Sequence, residues 1–289
     1  MKYLHALEIA ITYIEAHLNE NICLEDVARE TGYSYYHMTR LFKSAVGETV
    51  GNYINKRRLS NAAKELLYTK KRIIDIAAES SYESSEAFSR AFKGVYHISP
   101  LKYRKNHLDL FIGSKKGLNT DMLQHIVSSI TLEPKIVNMK ETKVAGIRGI
   151  VTLKGDSLPH LWEQFFKIRT AILHTIPNRR DFCICETGQT TFTESGDAVY
   201  SEMIGTEISS FEGMPDIVAT KVIKPGKYAV FTHLGSPYNL EKTYDYIWGT
   251  WILSTKEELD NREDFELYTE QFKSADNPDN KIEIYIPIC

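Results

Sequence analysis

A pattern of apolar and polar residues occurs twice in the first part of the chain, at a separation of about fifty positions. The segment LEDVARETGY, followed by MTRLFK, is matched by IIDIAAESSY, followed by FSRAFK. In each copy a short amphipathic segment ends at a turn, and a second segment with helical apolar spacing follows. A helix, a tight turn and a polar second helix make a helix-turn-helix unit. The repeat therefore predicts an all-α N-terminal domain with two such units.

The first unit has clear local signals. Its turn contains Gly32, and Ser34 is the expected N-cap of a second helix that runs from Tyr35 to about Ala45. A longer helix over residues 52–67 would connect the two units. Such a rod can hold the two second helices about one duplex turn, ~34 Å, apart. The residues expected to pack the first unit together are Val27, Ala28, Met38, Leu41 and Phe42.

The outer face of the second helix in the first unit suits the major groove of DNA. An arginine such as Arg40 can pair with guanine edges, and a lysine such as Lys43 can reach phosphate. The connecting helix adds the basic pair Arg57 and Arg58. The alternative is a plain helical bundle with solvated basic faces. The DNA-binding residues predicted here are Tyr35, Tyr36, Thr39, Arg40, Lys43, Arg57 and Arg58.

The distribution of charge agrees with a nucleic-acid partner for the first part of the chain. Residues 1–107 contain 16 Lys or Arg and 12 Asp or Glu, a balance of +4, whereas the remainder carries 19 and 26, a balance of -7. No apolar run is long enough for a membrane span, and the N-terminus does not resemble a secretory signal. We therefore expect a cytoplasmic protein without membrane contact. The four scattered cysteines predict neither a disulfide scaffold nor a metal site, and no cofactor is expected.

Two longer stretches resemble a known family. IIDIAAESSYESSEAFSRAFKGVYHISPLKYR is similar to the signature of AraC/XylS-type regulators, and LEDVARETGYSYYHMTRLFK resembles the first unit of that family. The resemblance covers roughly residues 5–105. It implies base-reading roles in the first unit for Tyr36, Thr39 and Arg40. In the second unit it implies such roles for Ser85, Glu86, Ser89 and Arg90, and Lys93 there occupies the place of Lys43.

Three residues of the second unit depart from what a DNA reader usually has. Ser81 and His97 stand where the family commonly has glycine, and a residue with a side chain is uncommon at positive φ. Glu86 would repel phosphate, although a carboxylate can accept a hydrogen bond from cytosine N4. The second unit is therefore expected to read DNA more weakly than the first.

The remainder of the chain predicts an α+β domain made of a duplicated β-α-β-β unit. Strand-like alternation and helical stripes follow each other twice in the same order. We therefore divide the chain into a DNA-binding domain at 1–107, a linker at 108–131 and a second domain at 132–289. The predicted strands are 143–152, 182–186, 198–208, 227–234, 265–269 and 282–288, and the predicted helices are 158–174 and 240–253.

The motifs LPHLWEQF, KPGKYAVFTHLG, DFELY and IEIYIPI resemble the GyrI-like effector-binding domain over roughly residues 132–289. The two domains together resemble Rob-type regulators. This resemblance implies a pocket between the repeats, lined by aromatic residues around an acidic group, that takes lipophilic cations. Glu266 stands in the acidic position of DFELY. The ligand-binding residues expected are Glu266, Tyr268, Trp162, Tyr200, Tyr228, Phe231, Trp248 and Trp251, with Glu283 and Tyr285 as second candidates.

For each of these residues, a structural role without ligand contact is the alternative to ligand binding. Trp162 and Trp251 lie on apolar helical stripes, where an aromatic residue commonly belongs to the core. Glu266 could face solvent, because the side chains of a strand alternate between its two faces. Phe265, Leu267 and Thr269 would in any case lie on the face opposite to Glu266 and Tyr268.

The leading functional hypothesis is a transcription regulator that binds double-stranded DNA and responds to a small-molecule effector. Activation, with RNA polymerase as a partner, is the commoner behaviour of the family that the chain resembles. Two reading units in one chain make a monomer on DNA sufficient. The alternatives are a hydrolase that uses a pocket carboxylate as general base and a module that sequesters a toxic compound or a partner protein. With no Ser/His/Asp order, no metal-ligand spacing and no phosphate-binding glycine loop in the sequence, we expect a protein that is not an enzyme.

Overall fold

The computed structural model describes residues 2–106, 115–152, 157–178, 180–192 and 198–289. The chain divides into two compact units. The first unit comprises Met1–Leu132 together with Asn239–Lys256, and the second comprises Glu133–Tyr238 together with Glu257–Cys289. Across the described ranges, no helix is both long and apolar enough to span a bilayer.

The first unit is helical, as predicted. Ser34 caps the second helix of the first helix-turn-helix, because its Oγ accepts the backbone N–H of His37 at 3.3 Å. Ser84 does the same in the second copy, where it accepts from Ala87 at 3.1 Å. The helices are α1 (Lys2–Ala16), α2 (Leu24–Thr31), α3 (Tyr35–Val46), α4 (Val50–Tyr68), α5 (Ile73–Glu79), α6 (Ser85–Tyr96), α7 (Pro100–Asn106), α8 (Thr120–Ser128) and, after the second unit has begun, a later helix over Leu240–Tyr246.

Each reading helix is fixed by a buried apolar side. In the first copy, Met38 and Phe42 of α3 are fully buried, together with Val27 of α2. In the second copy, Phe88 and Phe92 of α6 pack with residues of α4, α5 and α7 in one cluster. Burial of a large side chain contributes about 1.5–3 kcal/mol. These contacts leave the polar side of α3 and of α6 exposed.

The two residues that stand in place of glycine in the second copy, Ser81 and His97, both adopt the left-handed conformation. Ser81 has φ 60° and His97 has φ 58°, where the first copy has Gly32 at φ 69° and Gly47 at φ 82°. The fold of the motif therefore requires positive φ at these places whichever residue occupies them. A side chain there costs roughly 1–2 kcal/mol relative to the right-handed conformation.

The second unit is built on an antiparallel sheet, and within the described residues this sheet has eight strands. Its order is β1-β6-β8-β7-β3-β4-β2-β5. The first repeat contains β1 to β4 and the second contains β5 to β8, so β1 corresponds to β5, β2 to β6, β3 to β7 and β4 to β8. When each strand is exchanged for its counterpart, the order reads the same from the opposite end. The predicted duplication thus forms one continuous sheet. The strands are β1 (Lys135–Met139), β2 (Thr142–Thr152), β3 (Arg180–Phe192), β4 (Ala198–Ile208), β5 (Ala219–Ile223), β6 (Gly226–Leu234), β7 (Phe265–Thr269) and β8 (Lys281–Ile288).

The two repeats differ in where their helices pack. The helix of the first repeat, α9 (Ser157–Ile168), lies on β2 and β4. The helix of the second repeat, α10 (Leu240–Tyr246), packs on α8 and belongs to the first unit. The sequence-based division at residue 132 does not anticipate this exchange. Nor is the predicted linker 108–131 free of structure, since α8 buries Leu123 and Ile126; its residues 108–114 lie outside the described part of the chain.

The sheet has one apolar face and one mixed face. Phe182, Phe265 and Leu267 belong to the apolar cluster, in which Phe265 stacks on Tyr285 with ring centroids 4.6 Å apart. Directly paired residues of antiparallel strands point to the same face. Because Cys183 pairs with Glu266 and Cys185 with Glu202, these four side chains share the other face.

Replacing His97 by glycine should stabilise the first unit. The substitution removes the strain of a side chain at φ 58° at the C-cap of α6, so we expect the free energy of unfolding to rise by about 1 kcal/mol. The measurement is the urea midpoint of the full chain. Lys102→Gly, at an exposed position inside α7, is the control and should lower stability by about 1 kcal/mol. Destabilisation by His97→Gly would contradict the assignment of strain.

Candidate DNA-reading faces and effector site

The exposed side of α3 presents aromatic, hydroxyl and basic groups together. Tyr35 and Tyr36 are 52% and 64% exposed, although both are large aromatic residues. The guanidinium of Arg40 lies over the Tyr36 ring, 5.5 Å from its centroid. Thr39 donates to the carbonyl of Tyr35 at 2.9 Å, and Lys43 is exposed one turn after Arg40. The structure therefore brings the predicted α3 residues together on one solvent-facing surface.

The corresponding surface of α6 is smaller and less basic. Arg90 and Lys93 are exposed, whereas Ser85 and Ser89 are half-buried. Glu86 lies in the first turn, where backbone N–H groups and the hydroxyls of Ser85 and Ser84 lower the pKa of its carboxyl. A carboxylate in that position stabilises the helix N-terminus. Glu86 therefore has a local structural role in addition to its predicted place on the reading surface.

Arg57 and Arg58, which the sequence predicts to bind DNA, have intramolecular partners in the structure. Arg57 holds both carboxylate oxygens of Glu15, at 2.8 and 2.7 Å, and donates to the carbonyl of Lys115 at 2.7 Å. Arg58 donates to the carbonyls of Leu18 and Glu20 at 2.7 and 2.5 Å. Both guanidinium groups bind the protein itself, and Arg57 is buried. They fasten α4 to α1 and to the segments that follow α1 and α7.

A polar and aromatic group lies on the mixed face of the sheet in the second unit. Glu266 is 7% exposed, and one of its carboxylate oxygens accepts a hydrogen bond from the Tyr268 hydroxyl at 2.6 Å. Trp162 of α9 meets the Tyr268 ring edge to face, with the centroids 4.9 Å apart. Phe272 packs against the same tyrosine at 5.1 Å. The predicted residues Glu266, Tyr268 and Trp162 are therefore in contact.

A second carboxyl group, Glu202 of β4, is buried on the same face. Its Oε1 accepts from the thiol of Cys183 at 3.1 Å. Burial, reinforced by the nearby charge of Glu266, raises the pKa of Glu202 to about 8. Burial likewise raises the pKa of the Cys183 thiol, so this sulfur is a donor and not a thiolate. At neutral pH the face thus holds a protonated carboxyl beside Glu266.

The other predicted ligand residues separate into two groups. Tyr200 lies two positions from Glu202 on β4, and Phe231 of β6 pairs with Ile284, which itself pairs with Glu266; both share the mixed face. Tyr228 and the second candidates Glu283 and Tyr285 point to the opposite face, because β6 and β8 alternate. Trp248 and Trp251 lie in the first unit. Within the second unit, Tyr228, Glu283 and Tyr285 therefore do not share a face of the sheet with Glu266.

Sequence reasoning missed Glu202, although a signal was available. Tyr200 was assigned to the site on the strand 198–208, and a residue two positions further on must share its face. An acidic residue in that alternation predicts a second carboxyl group beside Glu266. Cys183 and Cys185, two positions apart on β3, follow the same rule and share one face of their strand.

The protonation of Glu202 gives folding a pH dependence. The pKa of Glu202 is 4.5 in the unfolded chain and about 8 in the folded protein, so Glu202 takes up a proton on folding between these two pH values. The stability gained from this proton is complete at low pH and is lost as the pH rises through 8. Between about pH 6.5 and 8, above the pKa of about 6 for Asp264, we expect the free energy of unfolding to fall by up to about 1.4 kcal/mol per pH unit. Urea unfolding measures this slope.

Glu202→Gln should remove most of that slope, because an amide has no proton to lose. Glu283→Gln, on the opposite face of the same sheet, is the matched control and should retain it. An unchanged slope in Glu202→Gln would show that another group takes up the proton.

Comparison with known proteins assigns both parts of the chain. Residues 135–288, just over half of the chain, match the family described as integron-associated effector binding protein, and residues 27–106 match a helix-turn-helix domain. The right origin-binding protein of Escherichia coli strain K12 is 25% identical over 288 residues, which cover 96% of each protein.

Two further relatives match the DNA-binding part. The regulatory protein SoxS of Salmonella typhimurium is 35% identical over 104 residues, which cover 36% of this chain and 97% of SoxS. The HTH-type transcriptional regulator YbfP of Bacillus subtilis is 48% identical over 104 residues, 36% of this chain, and the match spans only 35% of YbfP. The chain therefore belongs to the integron-associated effector binding protein family and is an AraC-type helix-turn-helix transcription regulator with a GyrI-like effector-binding domain.

Proposed function

We propose that the chain is a ligand-responsive transcription activator whose effector is a small lipophilic cation. The observation that carries this proposal is the buried side chain of Glu266, which accepts a hydrogen bond from Tyr268, whose ring in turn meets the indole of Trp162. Buried carboxylates are costly unless a positive group or hydrogen bonds compensate them. Aromatic faces attract cations, more strongly where water is excluded. A cation with an apolar body satisfies both conditions.

The protonated state of Glu202 supports a ligand with a single positive charge. With a pKa of about 8, Glu202 carries its proton at neutral pH and leaves Glu266 as the counter-charge. A ligand with two positive charges would gain the second ion pair only by expelling that proton. Discrimination between monocations and dications is therefore part of the proposal.

The DNA-binding part would use α3 as its main reader and α6 as a weaker one. The exposed Tyr36 and Arg40 and the half-buried Thr39 support base contacts in the first major groove. Two readers in one chain support binding as a monomer, with RNA polymerase as the protein partner. We propose activation because SoxS is named a regulatory protein and the relative AarP of Providencia stuartii a transcriptional activator. The bound effector is released unchanged.

Effector binding should depend on charge and on Glu266. Benzyltrimethylammonium and its neutral isostere neopentylbenzene differ in one atom, so the ratio of their affinities measures how much the positive charge of the ligand contributes to binding. We expect the cation to bind in preference and Glu266→Gln to abolish that preference, a loss of about 1.5–3 kcal/mol for a charged hydrogen-bonded site. Trp248→Phe/Trp251→Phe leaves Trp162 as the fluorescent reporter.

Glu283→Gln is the control for this measurement, because Glu283 lies on the other face of the sheet and pairs with Lys281 at 3.0 Å. Recovery of intact ligand after incubation, measured by mass spectrometry, checks that no turnover occurs. Equal loss of affinity for cation and isostere in Glu266→Gln would refute the counter-charge role, and hydrolysed ligand would favour an enzyme.

Arg40 and Lys43 should contribute to DNA binding in different ways. Arg40→Ala removes a guanine reader, so we expect a loss of about 1–3 kcal/mol and relaxed preference at one base pair. Lys43→Ala removes a phosphate contact and should weaken binding to all sequences while lowering the salt slope by about 1. Competitive selection from a random duplex library measures both effects. Arg72→Ala, an exposed arginine paired with Asp75, is the control. Unaltered base preference in Arg40→Ala would exclude it as a reader.

A further inference from the structure

The segment 239–256 is tied to both parts of the molecule. Along the chain it lies between β6 and β7, and β7 carries Glu266 and Tyr268. In space it packs within the first unit, where α10 contacts α8 and α8 contacts α3. The segment therefore has its ends in the effector-binding domain and its contacts in the DNA-binding part. We call it the docked segment.

The docked segment reaches the turn that ends the first reading helix. Gly47 caps α3 with φ 82°, and the hydroxyl of Tyr246 lies 2.6 Å from where a Cβ on Gly47 would stand. That hydroxyl donates to the carbonyl of Leu132 at 3.1 Å. The close approach of a phenol to bare backbone holds Tyr246 against the junction between α3 and α4.

A buried ionic cluster lies directly after this junction. Glu48 is 3% exposed, and its two carboxylate oxygens lie 2.9 Å from Lys56 Nζ and 2.9 Å from Lys115 Nζ. Both lysines also bind the docked segment at one residue. Lys56 donates to the carbonyl of Thr250 at 3.2 Å, and Lys115 donates to the Thr250 hydroxyl. Thr250 thus accepts a hydrogen bond from each of the two lysines that flank Glu48.

The backbone of the docked segment is unusual at Thr250. Residues Ile247–Trp251 form a π-helical turn, and Ile252 donates to the carbonyl of Ile247 at 2.9 Å. A wide turn of this kind is less favourable than α-helix and commonly marks a functional place. Here it presents both the carbonyl and the hydroxyl of Thr250 to the two lysines.

Polar contacts on α10 fasten the rest of the docked segment to α8 and its surroundings. His125 and Thr243 are hydrogen-bonded at 2.8 Å in the interior. Nearer the surface, Lys242 pairs with Asp121 at 2.7 Å, and Lys116 pairs with Asp245 at 3.0 Å. Exposed pairs add little individually, so the buried Thr250 and Thr243 contacts dominate.

We propose that the docked segment is the coupling element of the regulator and that, when docked, it holds α3 in the arrangement that binds DNA. The expected sign of the effect, stronger DNA binding when the segment is docked, follows from the residues of α3 that the docked segment leaves exposed. Its contacts lie at the C-terminal end of α3 and on α4 and α8, while Tyr35, Tyr36 and Arg40 stay exposed. The dock therefore supports the reader without covering it. Its response to effector rests on the proposed function, whereas its effect on DNA affinity does not.

Two substitutions loosen the dock without removing the Glu48–Lys56 pair. Thr250→Val keeps the shape of the side chain and removes the hydroxyl that Lys115 binds. Lys115→Met removes the second ammonium and leaves one carboxylate with one lysine, 2.9 Å apart. Thr220→Val, at an exposed position of β5 in the second unit, is the matched control. Cooperative urea unfolding and circular dichroism confirm that each full-length variant is folded.

The first measurement is DNA affinity without effector, by fluorescence anisotropy on a duplex selected for the wild-type protein. We expect Thr250→Val and Lys115→Met each to weaken binding about five-fold or more, the lower range of coupling between sites. The loss should be confined to the half of the duplex read by α3. Thr220→Val should bind as the wild type does. Wild-type affinity in both dock variants would overturn the proposal.

The second measurement separates this inference from the proposed function. Benzyltrimethylammonium affinity, measured by isothermal titration calorimetry with all three tryptophans kept, should stay within two-fold of wild type in the dock variants, while its effect on DNA affinity should fall toward none. If no cation binds the wild type but the dock variants still lose DNA affinity, the dock stands and the effector assignment fails. If the cation changes DNA affinity equally in wild type and variants, the effector site stands and the coupling role fails.

Discussion

The cost of burying charge determines the roles of the acidic residues in this molecule. An ionised carboxylate loses several kcal/mol of hydration when it is buried, so each one requires a cation, a proton or strong donors. In the first unit Glu15 has Arg57, and Glu48 has two lysines. On the mixed face of the sheet Glu202 has its proton and Glu266 has a tyrosine. Glu15 and Glu48 thus face basic side chains of the fold. Glu266, buried with an aromatic residue as its hydrogen-bond donor, has the surroundings that the proposed cationic effector would need.

Local periodicity was sufficient to predict most of the elements. The repeat of the helix-turn-helix, the Ser34 cap and the strand at 265–269 follow from spacing alone, because side-chain direction in a helix or a strand is fixed by the backbone. The same rule explains why Tyr228 was misplaced. Its strand was identified correctly, but the face depends on register against β8, and register is set by pairing partners distant in the chain. The contact between Trp162 and Tyr268, by comparison, came with a resemblance and not with spacing.

For the prediction of DNA-binding residues, positive charge on a helix was a weaker guide than exposure of the side chain. Arg57 and Arg58 lie on α4 among basic residues, as a DNA-binding stripe would, yet each guanidinium satisfies backbone carbonyls or a carboxylate of the protein. Arginine presents several donors in a planar fork and suits such bridging as well as it suits phosphate. Composition cannot distinguish the two uses, because the partner oxygens belong to α1 and to the segments that follow α1 and α7. The apolar stripe of 240–253 has the same ambiguity: it predicts a buried face without naming the element that buries it.

The duplicated domain uses equivalent helices for different purposes. α9 remains on its sheet and places Trp162 on Tyr268, while α10 and the π-helical turn pack in the first unit and place Thr250 on Lys56 and Lys115. Duplication supplies two elements of the same shape, and a few polar residues on one of them are enough to give it a new partner. A coupling element of this kind needs no relay through the sheet, because its chain ends are strands of the effector-binding domain. In the coupling that we propose, an effector-driven change at β7 would act through the chain on the segment that holds the turn after α3.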